Sequence, residues 1–85
     1  MKSFTYTLTD PQGIHARPAG LLAKAAAGYQ SAITLEVNGA KSDAKRLMAI
    51  MRLAAKAGMD VLVTCEGADE DAAAEGLQKF FQENL

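Results

Sequence analysis

Residues 13–20 contain the side chains best suited to chemistry: His15, the sole histidine of the sequence, and Arg17 two positions later. Pro18 fits a helix only in its first turn, where its missing N–H costs no hydrogen bond. The Ala- and Leu-rich run up to Ala27 then predicts a helix, with His15 at or next to its N-cap. A helix N-terminus offers unpaired N–H groups and a partial positive charge, and Arg17 adds a permanent cation. The pattern therefore indicates a site that would stabilise a phosphorylated imidazole.

Other chemistries are less well supported by the residue types. A catalytic triad needs a Ser or Cys beside a histidine that a carboxylate orients, and the sequence does not identify such partners for His15. A metal site is not favoured either, because a lone histidine beside Arg17 would repel a cation more than hold it. What remains is phosphoryl transfer, in which a neutral ring nitrogen attacks a phosphoryl group and later passes it on. A carrier of this kind is not an enzyme by itself and needs no cofactor. The alternative is that His15 is an ordinary surface or structural residue.

Length and charge limit the range of functions. The 85 residues fit one domain, over residues 1–85, and a chain of this size buries roughly 60–65% of its unfolded surface. A net charge of −1 argues against general nucleic-acid binding and against an anionic membrane anchor. A single Cys65 excludes an internal disulfide, and the first residues lack the apolar segment of a signal peptide, so we expect a cytoplasmic protein.

Alternating apolar residues predict the strands. Four strands are expected, the third of them short, near residues 40–43, and returning after Asn38-Gly39, a strong hairpin signal. The inward-facing residues of the other three are Phe4, Tyr6, Leu8, Ile33, Leu35, Val37, Val61, Val63 and Cys65.

Composition and capping residues predict three helices. The first covers residues 16–27 and ends at Gly28. The second covers residues 47–57 and ends at Gly58. The third begins after Asp69 as N-cap, and Gly76 weakens it by about 1 kcal/mol relative to Ala. The expected buried residues are Ala19, Leu22, Ala23, Ala26 and nearby Tyr29 for the first helix, Ile50, Leu53 and Ala54 for the second, and Ala73, Leu77, Phe80 and Phe81 for the third.

The elements follow the order β-α-β-β-α-β-α, which predicts an α+β fold. An open-faced β-sandwich, with a four-stranded antiparallel sheet and three helices on one face, would bury every apolar stripe. The other sheet face would be solvated and carry Thr5, Thr7, Thr34 and Glu36.

The second helix has more apolar residues than one buried stripe requires. Leu47, Met48 and Met51 are left over, and they either join the core or form a surface for partners. Methionine adapts to several partners, which favours the second interpretation.

Several segments resemble the histidine-containing phosphocarrier (HPr) family of the bacterial phosphoenolpyruvate:sugar phosphotransferase system. The segments are Gly-Ile-His-Ala-Arg-Pro-Ala at residues 13–19, Asp-Ala-Lys at 43–45 before Leu-Met-Ala-Ile-Met at 47–51, and Glu-Gly at 66–67 before an acidic helix start. With the chain length, the resemblance covers nearly the whole sequence.

The resemblance implies the functional assignments. Nδ1 of His15 would be the phosphorylated atom, with Arg17 assisting, enzyme I would be the donor, and IIA domains of sugar permeases would be the acceptors. A monomer that binds neither nucleic acid nor membrane is expected. The implied partner-binding residues are Ala16, Gly20, Leu21, Lys24, Leu47, Met48 and Met51.

Two positions depart from the family pattern. Arg46 stands where many members have a serine that a regulatory kinase phosphorylates, so no regulatory serine is expected here. Gly20 replaces a slightly larger residue and makes the first helix locally more flexible.

Three other functions compete with phosphoryl transfer to sugar permeases. The chain could be an HPr-like regulatory module that binds a partner without transferring phosphate, although His15 beside Arg17 favours transfer. It could also serve a nitrogen-regulatory branch and not sugar uptake. A small nucleic-acid-binding domain would need a basic sheet face with exposed aromatic residues, and threonines and acids are expected there.

Overall fold

The computed structural model describes residues 1–85 and has seven elements in the predicted order. The strands are β1 (Lys2–Thr7), β2 (Ala32–Val37), β3 (Ala40–Asp43) and β4 (Asp60–Glu66). The helices are α1 (Ala16–Ala27), α2 (Leu47–Arg52) and α3 (Glu70–Asn84). The predicted α+β class is confirmed. No helix is long and apolar enough to cross a membrane.

The four strands form one antiparallel sheet in the order β1-β4-β2-β3. Val63 of β4 pairs with Phe4 on one side and Leu35 on the other. The β2–β3 hairpin turns at Asn38 and Gly39, with φ of 52° and 82°. Both residues are left-handed, as in the type I′ turn that the Asn-Gly pair favours.

One face of the sheet is covered by the helices and forms the core. Helix α3 packs on β1 and β4, and α1 packs against both α2 and α3. Phe81 of α3 meets the rings of Phe4 and Tyr6 edge-on, with centroids 5.9 and 5.5 Å apart. Cys65 is fully buried, and this burial raises the pKa of its thiol. The predicted inward residues Ile33, Leu35, Val37, Val61 and Val63 are also buried.

Helix α1 has the predicted limits, Ala16 to Ala27. Its buried face includes Ala19, Leu22 and Ala26, whereas Ala23 is only half-buried. Gly28 ends the helix with φ of −74°. This helix end therefore does not use the left-handed conformation for which glycine is usually chosen.

Helix α2 is shorter than the predicted residues 47–57. It ends at Arg52, and Ala54 adopts a left-handed φ of 51°. Ile50 is buried as predicted, but the expectation that Ala54 is a core residue is wrong, because its side chain is exposed. The neighbouring Ala55 is buried, and its carbonyl accepts a hydrogen bond from the N–H of Ile14 at 3.0 Å. This tertiary contact overrides the helix propensity of the alanines.

Asp69 occupies the predicted N-cap position of α3, but its side chain does not cap the helix. Its carboxylate accepts hydrogen bonds from the N–H groups of Gln30 and Ser31, both at 2.8 Å, and from the Ser31 hydroxyl. These bonds, above all that from the hydroxyl, lower the pKa of Asp69. Asp69 therefore ties the segment before β2 to the start of α3.

Gly76 has a packing role that its helix propensity does not reveal. A Cβ at this position would clash with the Tyr29 hydroxyl, so the absence of a side chain lets Tyr29 lie against α3.

Candidate functional site

His15 is the N-cap residue of α1, as predicted. Its backbone is extended, with φ of −101° and ψ of −178°, and its side chain makes no capping hydrogen bond. The His15 carbonyl accepts the first helical bond, from the N–H of Ala19 at 2.9 Å. The imidazole is 37% exposed. The ring therefore lies outside the helix and can be reached from solvent.

The loop that presents His15 is held by the segment after α2. Gly13 has a φ of 65°, and a Cβ there would clash with the backbone of Ala55 and Lys56. The Gly13 N–H donates to the carbonyl of Asp10 at 2.8 Å, and the next residue, Ile14, is buried. Only glycine satisfies both the close approach and the left-handed backbone at residue 13.

A shallow depression of about 230 Å³ surrounds the imidazole; its lining residues are Asp10, His15, Arg17, Pro18, Leu21 and Asn84. The N–H groups of Ala16 and Arg17 have no acceptor within the helix, and Pro18 has no N–H. These amides and the exposed guanidinium of Arg17 make this end of α1 suitable for an anion. A larger depression, of about 590 Å³, lies beside β2 and β3 and shares none of these residues.

Asp10 was missed by the sequence analysis, which identified no carboxylate partner for His15. Its Oδ2 lies 3.7 Å from Nε2 of His15. The Asp10 N–H donates to the carbonyl of Leu85 at 2.8 Å, so the end of α3 supports this loop. The available signal was an aspartate in the turn immediately before the histidine.

Four large apolar side chains are exposed on α1 and α2, which pack against each other. Leu21 is 46% exposed, Leu47 41%, Met48 63% and Met51 38%. We call these four residues the apolar surface. The alternative that Leu47, Met48 and Met51 belong to the core is therefore wrong. Of the other residues assigned to partner binding, Ala16 and Lys24 are exposed and Gly20 is half-buried.

Arg46 is exposed and precedes α2 as its N-cap residue, without a side-chain capping bond. Neither nearby candidate replaces the missing cap. Ser42 lies in β3 with its hydroxyl oxygen buried and unpaired, and Asp43 accepts from the N–H of Lys45 at 2.9 Å. Helix α2 therefore begins without side-chain capping.

The structure contains no group of three or more His, Cys, Asp or Glu side chains that could hold a metal ion.

Comparisons with known proteins agree with this geometry. The family model "PTS HPr component phosphorylation site" matches residues 2–83. The phosphocarrier protein HPr of Mycoplasma capricolum is 35% identical over 79 residues, which cover 93% of this chain and 89% of that protein.

Solved structures show the same fold. The histidine-containing phosphocarrier protein from a Mycoplasma superposes with a TM-score of 0.94 at 33% identity, covering 96% of this chain and 93% of that chain. An HPr from Thermoanaerobacter tengcongensis gives 0.93 at 35% identity, covering 98% and 93%. A dimer of HPr from the same organism is also among the matching structures. Sequence and fold agree over nearly the full length, and the chain belongs to the HPr phosphocarrier family of the phosphotransferase system.

Proposed function

We propose that this chain accepts a phosphoryl group from enzyme I on Nδ1 of His15 and passes it to IIA domains of sugar permeases. It acts as a monomeric carrier in the cytoplasm and does not turn over a substrate alone. The observation that carries the proposal is the solvent-accessible imidazole at the N-terminus of α1, with Arg17 in the same depression.

The site suits a phosphate that must leave again. The N–H groups at the start of α1 and the guanidinium of Arg17 would stabilise the charge of a phosphoryl group on His15. The depression is open and shallow, and the segment before α1 has no glycine-rich phosphate loop. Stabilisation is therefore moderate, which keeps the group available for onward transfer.

The apolar surface lies beside this site and is proposed as the docking area for both partners. Leu21 belongs to the surface and also lines the depression around His15. Arg17 and Lys24 on α1 add positive charge, which would steer the chain toward acidic partners. Gly20 and Ala16 would lie in the same contact area. A small surface of this kind fits the short-lived contacts of a relay.

The test is incubation of the full chain with phosphoenolpyruvate and enzyme I. Phosphate should appear on the protein as an acid-labile, alkali-stable phosphoramidate, and His15→Ala should abolish it. Arg17→Ala should transfer more slowly with its fold intact. Phosphorylation of His15→Ala would contradict the proposal, and unchanged kinetics in Arg17→Ala would remove that residue from the mechanism.

The same assay addresses the alternative functions. A regulatory module without transfer would bind through the apolar surface yet stay unphosphorylated. A carrier of the nitrogen-regulatory branch would accept phosphate but deliver it poorly to IIA domains of sugar permeases.

A further inference from the structure

The side chain of Asp10 is oriented by its own loop. Its Oδ1 accepts a hydrogen bond from the N–H of Gln12 at 2.8 Å, which fixes the carboxylate in an Asx turn. The backbone of Asp10 is bonded in both directions, to Gly13 and to Leu85, at 2.8 Å each. The second oxygen, Oδ2, takes no part in the turn and lies 3.7 Å from Nε2 of His15.

We propose that Asp10 is a positioning residue that keeps the proton of neutral His15 on Nε2 and so leaves the lone pair on Nδ1. The proposal deepens the proposed function, on which it rests. A neutral imidazole has one N–H and one lone pair, and an ionised carboxylate can only accept. A carboxylate beside Nε2 therefore favours the tautomer whose proton is on Nε2.

The separation is compatible with this role. At 3.7 Å the two atoms are too far apart for a direct hydrogen bond, although the charge of the carboxylate still acts on the ring. Hydrogen bonds at reaction sites are often long in the unliganded protein and shorten in the reacting complex. The Asp10 side chain is only 25% exposed, so solvent screens it incompletely.

The transfer step balances with Asp10 in this role. The lone pair on Nδ1 forms the new bond to phosphorus, and the bond between phosphorus and the donor breaks with its electron pair going to the donor. His15 then holds the phosphoryl group on Nδ1 and the original proton on Nε2, so the ring is cationic and Asp10 faces its positive edge. A protonated ring is also a better leaving group when the phosphoryl group moves to the acceptor.

The charged groups around the ring have separate tasks. Asp10 and Arg17 are the only charged residues that line the depression besides His15 itself, and the rest of its lining is neutral. Asp10 faces Nε2, so it acts on the proton. Arg17 offsets the repulsion between the carboxylate and the incoming phosphoryl group.

The decisive variant is Asp10→Asn. Asparagine can keep the turn, because its Oδ1 still accepts from Gln12, but it presents an NH₂ donor to His15 in place of the acceptor. The preferred tautomer should reverse, as it does when the carboxylate of a serine-protease triad becomes an amide. A purely structural Asp10 would leave the tautomer unchanged.

The measurement is ¹⁵N NMR of His15 in the full chain at about pH 9, where an imidazole is neutral. The wild type should show a pyridine-like Nδ1 and a protonated Nε2, and Asp10→Asn should show a larger share of the opposite tautomer. Transfer from enzyme I should slow by about tenfold or more. Asp43→Asn is the matched control, because Asp43 forms the same kind of turn with Lys45, and it should change neither quantity.

Unchanged ¹⁵N shifts of His15 in Asp10→Asn would overturn the proposal. If that variant fails to fold, Asp10→Ser keeps a turn-forming oxygen without the carboxylate, and it should also lose the preference for a proton on Nε2. The NMR readout requires no phosphate. A tautomer change without phosphorylation of the wild type would therefore refute the carrier function alone, and phosphorylation without a tautomer change would refute the role of Asp10 alone.

Discussion

The two sides of the helical layer are built differently. Helix α3 has 15 residues, and its Ala73, Leu77 and Phe81 are buried against the sheet. Helix α2 has six residues, of which only Ile50 is buried. Three of its large apolar side chains, Leu47, Met48 and Met51, are exposed and lie beside α1. The large apolar residues of α3 named here therefore stabilise the fold, whereas three of those on α2 stay exposed to solvent.

Charged residues also differ between α3 and the segments around α1 and α2. Helix α1 and residues 44–59 contain no acid, and their six cations are Arg17, Lys24, Lys45, Arg46, Arg52 and Lys56. Helix α3 carries one cation, Lys79, against the acids Glu70, Asp71, Glu75 and Glu83. The net charge of −1 hides this separation. A nearly neutral protein can therefore still carry an excess of positive charge on the segments that bear the apolar surface.

The largest difference in stability should appear when one large apolar side chain is truncated on α3 and one on α2. Phe81→Ala should lower the free energy of unfolding by about 3–5 kcal/mol, because it empties the aromatic cluster under α3. Met48→Ala should change it by about 0.5 kcal/mol or less. Urea denaturation measures both.

The apolar surface adds a binding test to this comparison. Met48→Glu should weaken binding to enzyme I while its melting temperature stays close to that of the wild type. A large loss of stability in Met48→Glu would mean that Met48 contributes to the core and that the contrast between α2 and α3 is wrong.

Two helical glycines provide a second contrast. Gly76→Ala should destabilise by about 1–3 kcal/mol despite the better helix propensity of alanine, because the new Cβ clashes with Tyr29. Gly20→Ala has open space around it and should stabilise by about 0.5–1 kcal/mol. Thermal unfolding of the two variants measures both changes. If Gly76→Ala raised the melting temperature as Gly20→Ala does, the packing role of Gly76 would be refuted.

Acid should weaken the contact between the start of α3 and the segment before β2, which Asp69 forms. The Ser31 hydroxyl and the Gln30 N–H hold the pKa of Asp69 below its ordinary value. A lowered folded-state pKa contributes stability above the unfolded pKa, near pH 4, and that stability is lost as pH falls through the folded value. Asp69→Asn should therefore show a smaller loss of stability than the wild type between about pH 5 and pH 2. If the stability of Asp69→Asn and of the wild type fell in parallel with pH, Asp69 would be excluded as a cause of acid unfolding.

A modest effect is expected at Arg46, which precedes α2. Arg46→Ser supplies the missing cap of α2 and should stabilise by about 0.5–2 kcal/mol, toward the lower end because α2 is short. The same change removes a cation, so association with enzyme I at low salt should slow. A faster or unchanged association rate would mean that the charge of Arg46 does not help to attract enzyme I.

Phosphorylation provides an independent check on Arg46. The wild type, incubated with HPr kinase and ATP, should gain no phosphoserine, because residue 46 has no hydroxyl and Ser42 is buried in β3 at its hydroxyl oxygen. Phosphate on Ser42 would contradict this expectation.

Much of the fold could be predicted because local patterns were unambiguous. Three local signals each act over a few residues, and the structure contains the element that each predicts: the alternation of Ile33, Leu35 and Val37, the Asn-Gly turn, and Pro18 in the first turn of α1. The place of His15 at the start of α1 followed from the same local signals. The predicted end of α2 is wrong. The alanine-rich residues 53–57 favour a helix locally, but the hydrogen bond from Ile14 to Ala55 holds this segment in a non-helical conformation.

Residue types and local patterns alone predict the element order, the inward faces of β1, β2 and β4, and the chemistry of an imidazole beside a guanidinium. The conformation of the β1–α1 loop brings Asp10 to His15, whereas the packing of distant elements brings together Asp69 with Ser31, Tyr29 with Gly76, and α2 with α1. None of these contacts follows from a local sequence pattern. Periodicity and capping report interactions within one or two turns, whereas the partners of a side chain depend on how the elements pack.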